Sequence, residues 1–285
     1  MKKIPESVVD FHVHLFPDKG FDAIWKIFES AYNYPVLHRL YYRECVEYLR
    51  NRNVGTIVYS NYAHKKGIAQ PMNQWNVQIL EEIEDIYCFA AYHPDDDNAI
   101  KNIEEILSHP RVIGVKLHFL VQPVLPYDSR LYPLYELIMA KKKRLLFHCG
   151  TGPLDNKNVG FSHFNRLLED FPELPVNIAH MGAFEYKQFM ELLDDHPNLY
   201  LDTAYTFWNI PGSFDLGNEY LEKNRRRILY GSDFPNIILP REDEIKGLLE
   251  RDLSQDFYDS IFYSNGMSLL KELSPARDGS GSTIA

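Results

Sequence analysis

The stretch Val8-Val9-Asp10-Phe11-His12-Val13-His14 reads as a strand buried on both faces that ends in two imidazoles. Apolar runs of this length are what the strands of a parallel sheet look like when helices cover both of its faces. Side chains alternate along a strand, so His12 and His14 are expected to point the same way and to reach one ion. Seven further runs of this kind follow at 55–61, 86–92, 112–118, 144–148, 176–180, 199–203 and 228–233, among them GTIVYS, RLLFH and VNIAH. Between them lie stretches of helical period. IKNIEEILSH sets Ile100, Ile103, Ile106 and Leu107 on one face, and FNRLLEDF and FMELLDDH repeat that spacing. Strands alternating with helices in this way predict an α/β chain of the (β/α)8 TIM-barrel type, one domain over residues 1–273. The small, polar tail SPARDGSGSTIA, 274–285, is expected to be disordered.

The bulk numbers agree with one large domain. The chain has 285 residues, 45% of them hydrophobic, enough to bury a single sizeable core. A formal charge of −10 argues against nucleic acid or anionic membranes as partners and leaves a small molecule as the expected one. No run of eighteen uncharged apolar residues occurs, and MKKIPESVV lacks the apolar core of a signal peptide, so a soluble, cytoplasmic protein is expected. Three cysteines without CxxC spacing suggest neither a disulfide framework nor a thiolate zinc site. The aromatic-rich stretch 15–43, with Phe16, Phe21, Trp25, Phe28, Tyr32, Tyr34, Tyr41 and Tyr42, is read first as a packed helix, with a lid or a subunit contact as the alternative.

Barrel enzymes place their sites at the C-terminal ends of the strands. Here the predicted strands end in His14, His118, His148, His180, Asp202 or Thr203, and Asp233. Burying unpaired imidazoles and carboxylates costs several kcal/mol each, so ionisable groups placed this regularly point to a shared site. Imidazole and carboxylate suit Zn²⁺ or a similar divalent ion. Lys116 and His118 alternate with Leu117, so both could face inward and meet substrate oxygens, although a buried lysine paired with a carboxylate fits Lys116 equally. Asp202 is expected beside the site, orienting an imidazole without binding metal itself. Trp208 and Tyr205 are read as pocket walls, with a core or interface role as the alternative.

The HxH closing the first strand, the His in LLFHCG, the His in VNIAHMG and the Asp in LYGSDFP, in that order and spacing, resemble the amidohydrolase superfamily. The match is to its amidohydrolase-2 branch, which includes aminocarboxymuconate-semialdehyde decarboxylase and related hydrolases, and it covers the chain to about residue 270. The resemblance implies metal ligands at His12, His14, His148 and Asp233, with His180 beside the metal as acid/base or transition-state stabiliser. It implies one divalent ion, zinc first and manganese next; carboxylation of Lys116 would bring a second. The implied chemistry is hydrolysis of a small carbonyl substrate such as a lactone, amide or ester. In it Asp233 accepts a proton from an acidified water and passes it on, and His180 stabilises the carbonyl oxygen. The alternative is nonoxidative decarboxylation of an unsaturated or aromatic acid, which would need a cation for the substrate carboxylate from Lys116, Arg39 or Arg43. A TatD-type nuclease, which also begins with HxH, is disfavoured by the acidic charge. By analogy with relatives, a homodimer is the expected oligomer.

Overall fold

The computed structural model describes residues 2–274 apart from Tyr32 and Asp155, so the tail expected to be disordered lies outside the described residues beyond Ser274. The strands are β1 (Val8–His14), β2 (Val54–Ser60), β3 (Ile86–Ala91), β4 (Val112–His118), β5 (Arg144–His148), β6 (Val176–Ile178), β7 (Leu199–Asp202) and β8 (Ile228–Leu229). They pair in parallel in sequence order, β1 to β8, with helices between them. The ring closes where Phe11 N–H donates to Tyr230 O (2.8 Å), Asp233 N–H to His12 O (2.9 Å) and His14 N–H to Phe234 O (2.8 Å). This is the eight-stranded barrel that the pattern of apolar runs predicts. No helix among the described residues is long and apolar enough to cross a membrane.

Three strands, β2, β3 and β7, end one residue before the sequence-based expectation, and two stop shorter still. β6 ends at Ile178, and β8 at Leu229, so His180 and Asp233 sit in the turns that follow instead of on the strands themselves. Both adopt left-handed backbone, with φ of 56° and 59°. Non-glycine residues avoid this region, and where it is held in place the site is often a functional one.

A second departure lies within β1. Its register against β2 shifts between Asp10, opposite Ile57, and Val13, opposite Tyr59, so three steps on β1 match two on β2. A bulge of this kind resets which side chains face inward. Val9 and Phe11 join Val58, Phe89, Ile113, Leu146 and Leu229 in an inner core, and beyond the bulge His12 and His14 face the same interior. Leu269, Leu270 and Leu273 of the helix Asn265–Leu273 seal this lower end of the barrel. Each buried leucine contributes roughly 1.5–3 kcal/mol of apolar burial. The larger core lies outside the strands, against the helices, and takes in Cys45, Cys88 and Cys149, all buried and unpaired. The barrel thus has an apolar floor, and its polar residues stand above it.

The aromatic stretch divides in two. Asp18–Ala31 is a helix that packs through Phe21 and Trp25, whose rings stack at 5.5 Å, as expected of a packed helix. The chain after it returns to the barrel mouth. There Tyr34 OH donates to Tyr205 OH (2.5 Å), Leu37 N–H donates to Ile237 O (3.2 Å), and the His38 ring lies 5.0 Å from that of Phe234.

Candidate metal centre

At the upper end of β1, His12 Nε2 and His14 Nε2 lie 3.3 Å apart. Asp233 Oδ1 is 3.5 Å from the first and 3.0 Å from the second. Three ligands about 2.0–2.2 Å from one ion stand roughly 3.0–3.6 Å from each other at tetrahedral or octahedral angles. The observed spacings fall in that range. The hydrogen bonds behind the rings point the same way. His12 Nδ1 is 2.8 Å from Asp202 Oδ2, and His14 Nδ1 is 3.3 Å from the Ser60 carbonyl oxygen. Both partners are acceptors, which places the ring protons on Nδ1 and turns the Nε2 lone pairs toward each other and toward a carboxylate. Three acceptors converging in a buried space fit a cation between them.

Asp202 does more than orient His12. Its other oxygen, Oδ1, accepts from His180 N–H (2.9 Å) and Ala204 N–H (3.2 Å), and it holds the turn in which His180 sits. His180 Nδ1 is 2.9 Å from Ala204 O, so its Nε2 is the free nitrogen. The His12 and His180 rings are 5.0 Å apart, and one ligand atom each from His12, His180 and Asp202 falls within 4.8 Å of the others. His148 lies close to both neighbours, stacked on His118 at 4.2 Å and 4.8 Å from His180. Its Nε2 is 2.8 Å from Gly152 O, which leaves Nδ1 as its open donor atom. The structure therefore brings His12, His14, His180, Asp202 and Asp233 into one cluster, with His148 and His118 against its side.

The electrostatics follow from burial. Desolvation, helped by the Lys116 charge, pushes His12, His118 and His148 well below the ordinary imidazole range, so they are held neutral, as metal ligands must be. Burial opposes ionisation of Asp233, but a hydrogen bond from His14 and the positive charge of neighbouring imidazoles, where those rings carry the extra proton, hold the carboxyl below its usual range. Lys116 is fully buried, and its Nζ has no hydrogen-bond partner among the described residues. Desolvation lowers it to about 8 against the opposing pull of Asp202 and Asp233. His118 Nδ1 is likewise buried without a partner. Trp208 is buried, stacked on Tyr205 at 4.7 Å and set beside the Glu244 carboxyl.

Three participants escape a reading of the residues in sequence. Glu244 accepts from Thr206 N–H (2.5 Å) and Phe207 N–H (3.3 Å) and so fixes the loop that carries Tyr205 and Trp208. Burial raises its carboxyl to about 8. Tyr34 meets Tyr205 from the far side of the mouth. Asp10 faces away from the site, toward Arg241, because of the bulge. Of these, only Asp10 carries a signal in sequence, as a charge inside an apolar run.

Comparison with known proteins agrees with the fold. Among solved structures, an uncharacterised TIM-barrel protein from Bordetella bronchiseptica superposes with a TM-score of 0.71 at 18% identity, covering 94% of this chain and 99% of that one. A 5-carboxyvanillate decarboxylase from Novosphingobium aromaticivorans with bound manganese gives 0.65 at 12% identity, over 93% and 97% of the two chains. A probable 2-pyrone-4,6-dicarboxylic acid hydrolase from Acinetobacter baumannii gives 0.62 at 14%, over 93% and 99%. At these identities the likeness is one of fold. No curated protein is matched by sequence. The sequence model of one family, described as amidohydrolase, matches residues 9–271, nearly the whole chain, and the protein belongs to that metal-dependent amidohydrolase-2 family.

Proposed function

We infer that the protein is a metal-dependent hydrolase of a small carbonyl substrate, a lactone, amide or ester, with one divalent ion held by His12, His14, His148 and Asp233. The observation that carries this reading is the convergence of His12 Nε2, His14 Nε2 and Asp233 Oδ1 at 3.0–3.5 Å, with the outer nitrogens of both rings placed on acceptors. A divalent ion, zinc or manganese, supplies Lewis acidity there, acidifying a water and polarising a carbonyl. Asp233, ionised and at the barrel mouth, takes the proton from the attacking water and delivers it to the leaving group. His180, fixed through Nδ1, presents Nε2 as a second proton acceptor and, once protonated, steadies the negative charge on the substrate oxygen. Lys116 Nζ and His118 Nδ1 are buried polar atoms without hydrogen-bond partners among the described residues and can meet substrate oxygens, and Trp208 and Tyr205 form one wall.

One observation favours a second reading, decarboxylation: the unpaired Lys116 ammonium, which suits a substrate carboxylate. The other cations weighed for that role are engaged elsewhere. Arg39 pairs with Glu29, and Arg43 with Glu82, both at the surface. The test begins with elemental analysis of protein purified without chelators, wild type beside a His12→Ala/His14→Ala variant. We expect about one divalent ion per chain in the wild type and none in the variant. Product analysis then separates the readings, since only the second releases carbon dioxide.

A further inference from the structure

We propose that Asp10 is a positioning residue that locks the turn carrying Asp233 against the strand carrying His12 and His14; the proposal rests on reading those residues as a metal centre. β8 pairs with β7 only through Ile228 and Leu229, and the next residues meet β1 through scattered backbone bonds, Phe11 N–H to Tyr230 O, Asp233 N–H to His12 O and His14 N–H to Phe234 O, which leave the Ser232 amide for a side chain to hold. They run along β1 at close quarters. A Cβ on Gly231 would lie 2.6 Å from His12 Cβ, which only glycine permits. Asp10 is fully buried on the outer face of β1, and its Oδ1 accepts from both Ser232 N–H (3.0 Å) and His12 N–H (3.3 Å). One oxygen therefore ties the backbone of a histidine on the strand to the residue before Asp233.

Its other oxygen has no hydrogen-bond partner among the described residues, and the facing cation, Arg241 Nε, is 4.0 Å away and also without one. A carboxylate buried with so loose an ion pair is a poor device for stability alone. Its two short contacts are both to backbone that sets the spacing of the donors. Asp233, at φ 59°, lies in a sparsely populated backbone region that is kept where its surroundings hold it. A small displacement of the turn would open the 3.0 Å approach of Asp233 to His14.

The test compares Asp10→Asn, which keeps an acceptor oxygen, with Asp10→Leu, which fills the volume without one. Two quantities are read: zinc affinity by chelator competition, and amide hydrogen exchange over residues 231–234 in metal-free protein. In Asp10→Leu we expect a tenfold to hundredfold loss of zinc affinity and at least a tenfold gain in exchange rate, with Asp10→Asn within about threefold of wild type in both. Should Asp10→Leu fail to fold, Asp10→Ser, whose hydroxyl is too short to span both amides, takes its place with the same expectation. Unchanged exchange in the variant lacking the acceptor overturns the proposal whatever happens to the metal. Faster exchange in a protein whose wild type binds no zinc would support the lock and remove the metal reading instead.

Discussion

The upper end of β1 and the turns after β6 and β8 deliver donors to the same point by different means. His12 and His14 stand on a strand bonded on both sides, with His14 opposite Ser60 on β2 and its N–H on Phe234 O. His180 and Asp233 stand in left-handed turns beyond strands that have already ended. There buried side chains supplement sparse backbone bonds: Asp202 holds the amides of His180 and Ala204, Asp10 holds that of Ser232, and Thr203 Oγ1 accepts from Gly231 N–H at 3.1 Å. In the proposed function the strand supplies ligands whose place is set by the sheet. The turns supply groups that would also exchange protons, and their place depends on scattered hydrogen bonds. Substitutions should therefore separate the two regions.

The largest effect is expected at Asp233. Asp233→Asn keeps the shape of the turn and removes the charge and the proton acceptor, so turnover of whatever substrate a carbonyl screen identifies should fall by about 10²–10⁴-fold. Steady-state kinetics would check this, and near wild-type turnover would refute the assignment. A smaller effect is expected at Asp202, whose carboxylate serves both regions, through Oδ2 to the His12 ring and Oδ1 to the turn of His180. Asp202→Ala should lose both functions, with a 10–100-fold drop in metal affinity and a thermal destabilisation from the unpaired amides. Asp202→Asn should split them. Its carbonyl oxygen can still hold the turn, but an amide N–H facing His12 Nδ1 would force the ring proton onto Nε2 and block the ligand lone pair. Stability near wild type with metal affinity as poor as in the alanine variant is the expected pattern. Equal losses of stability in the two variants would break the comparison.

That division also governs how much of the molecule is legible in its sequence. Strand positions follow from apolar runs, because a sheet covered on both faces demands them, and the starts at Val8, Ile86, Val112, Arg144, Val176, Leu199 and Ile228 coincide with those read from sequence. The clustering of His12, His14 and Asp233 is legible because ionisable groups at the ends of apolar runs need a common partner. The early ends of β6 and β8 are not, because His and Asp, although commoner at positive φ than most residues, sit far more often in ordinary backbone and so do not mark the turn. The bulge in β1 is hidden too: it leaves the alternation of His12 and His14 intact and changes only what lies before them, so Asp10 turns outward without trace. Contacts such as Tyr34 with Tyr205, 171 residues apart, depend on closure of the whole barrel and have no local signal.

The smallest expected effect tests that last contact, which joins the segment after the first helix to the loop after β7. A neutral hydrogen bond of this kind contributes about 1 kcal/mol net. Tyr34→Phe removes the donor and leaves the half-buried Tyr205 hydroxyl free to take water, so no larger penalty for an orphaned group should appear. In a domain of this size such a loss lowers the melting temperature by about 2 °C. Tyr205→Phe should cost about the same or slightly more, because Tyr205, at φ 57°, also stacks on Trp208. The double variant is the sharper measurement. If the two phenols act through one shared bond, losing the second adds almost nothing, and the cycle returns a coupling near 1 kcal/mol. Additive losses would mean that each hydroxyl is satisfied separately, and the segment 33–40 would then rest on the barrel through contacts such as those of Val36, Leu37, His38 and Leu40.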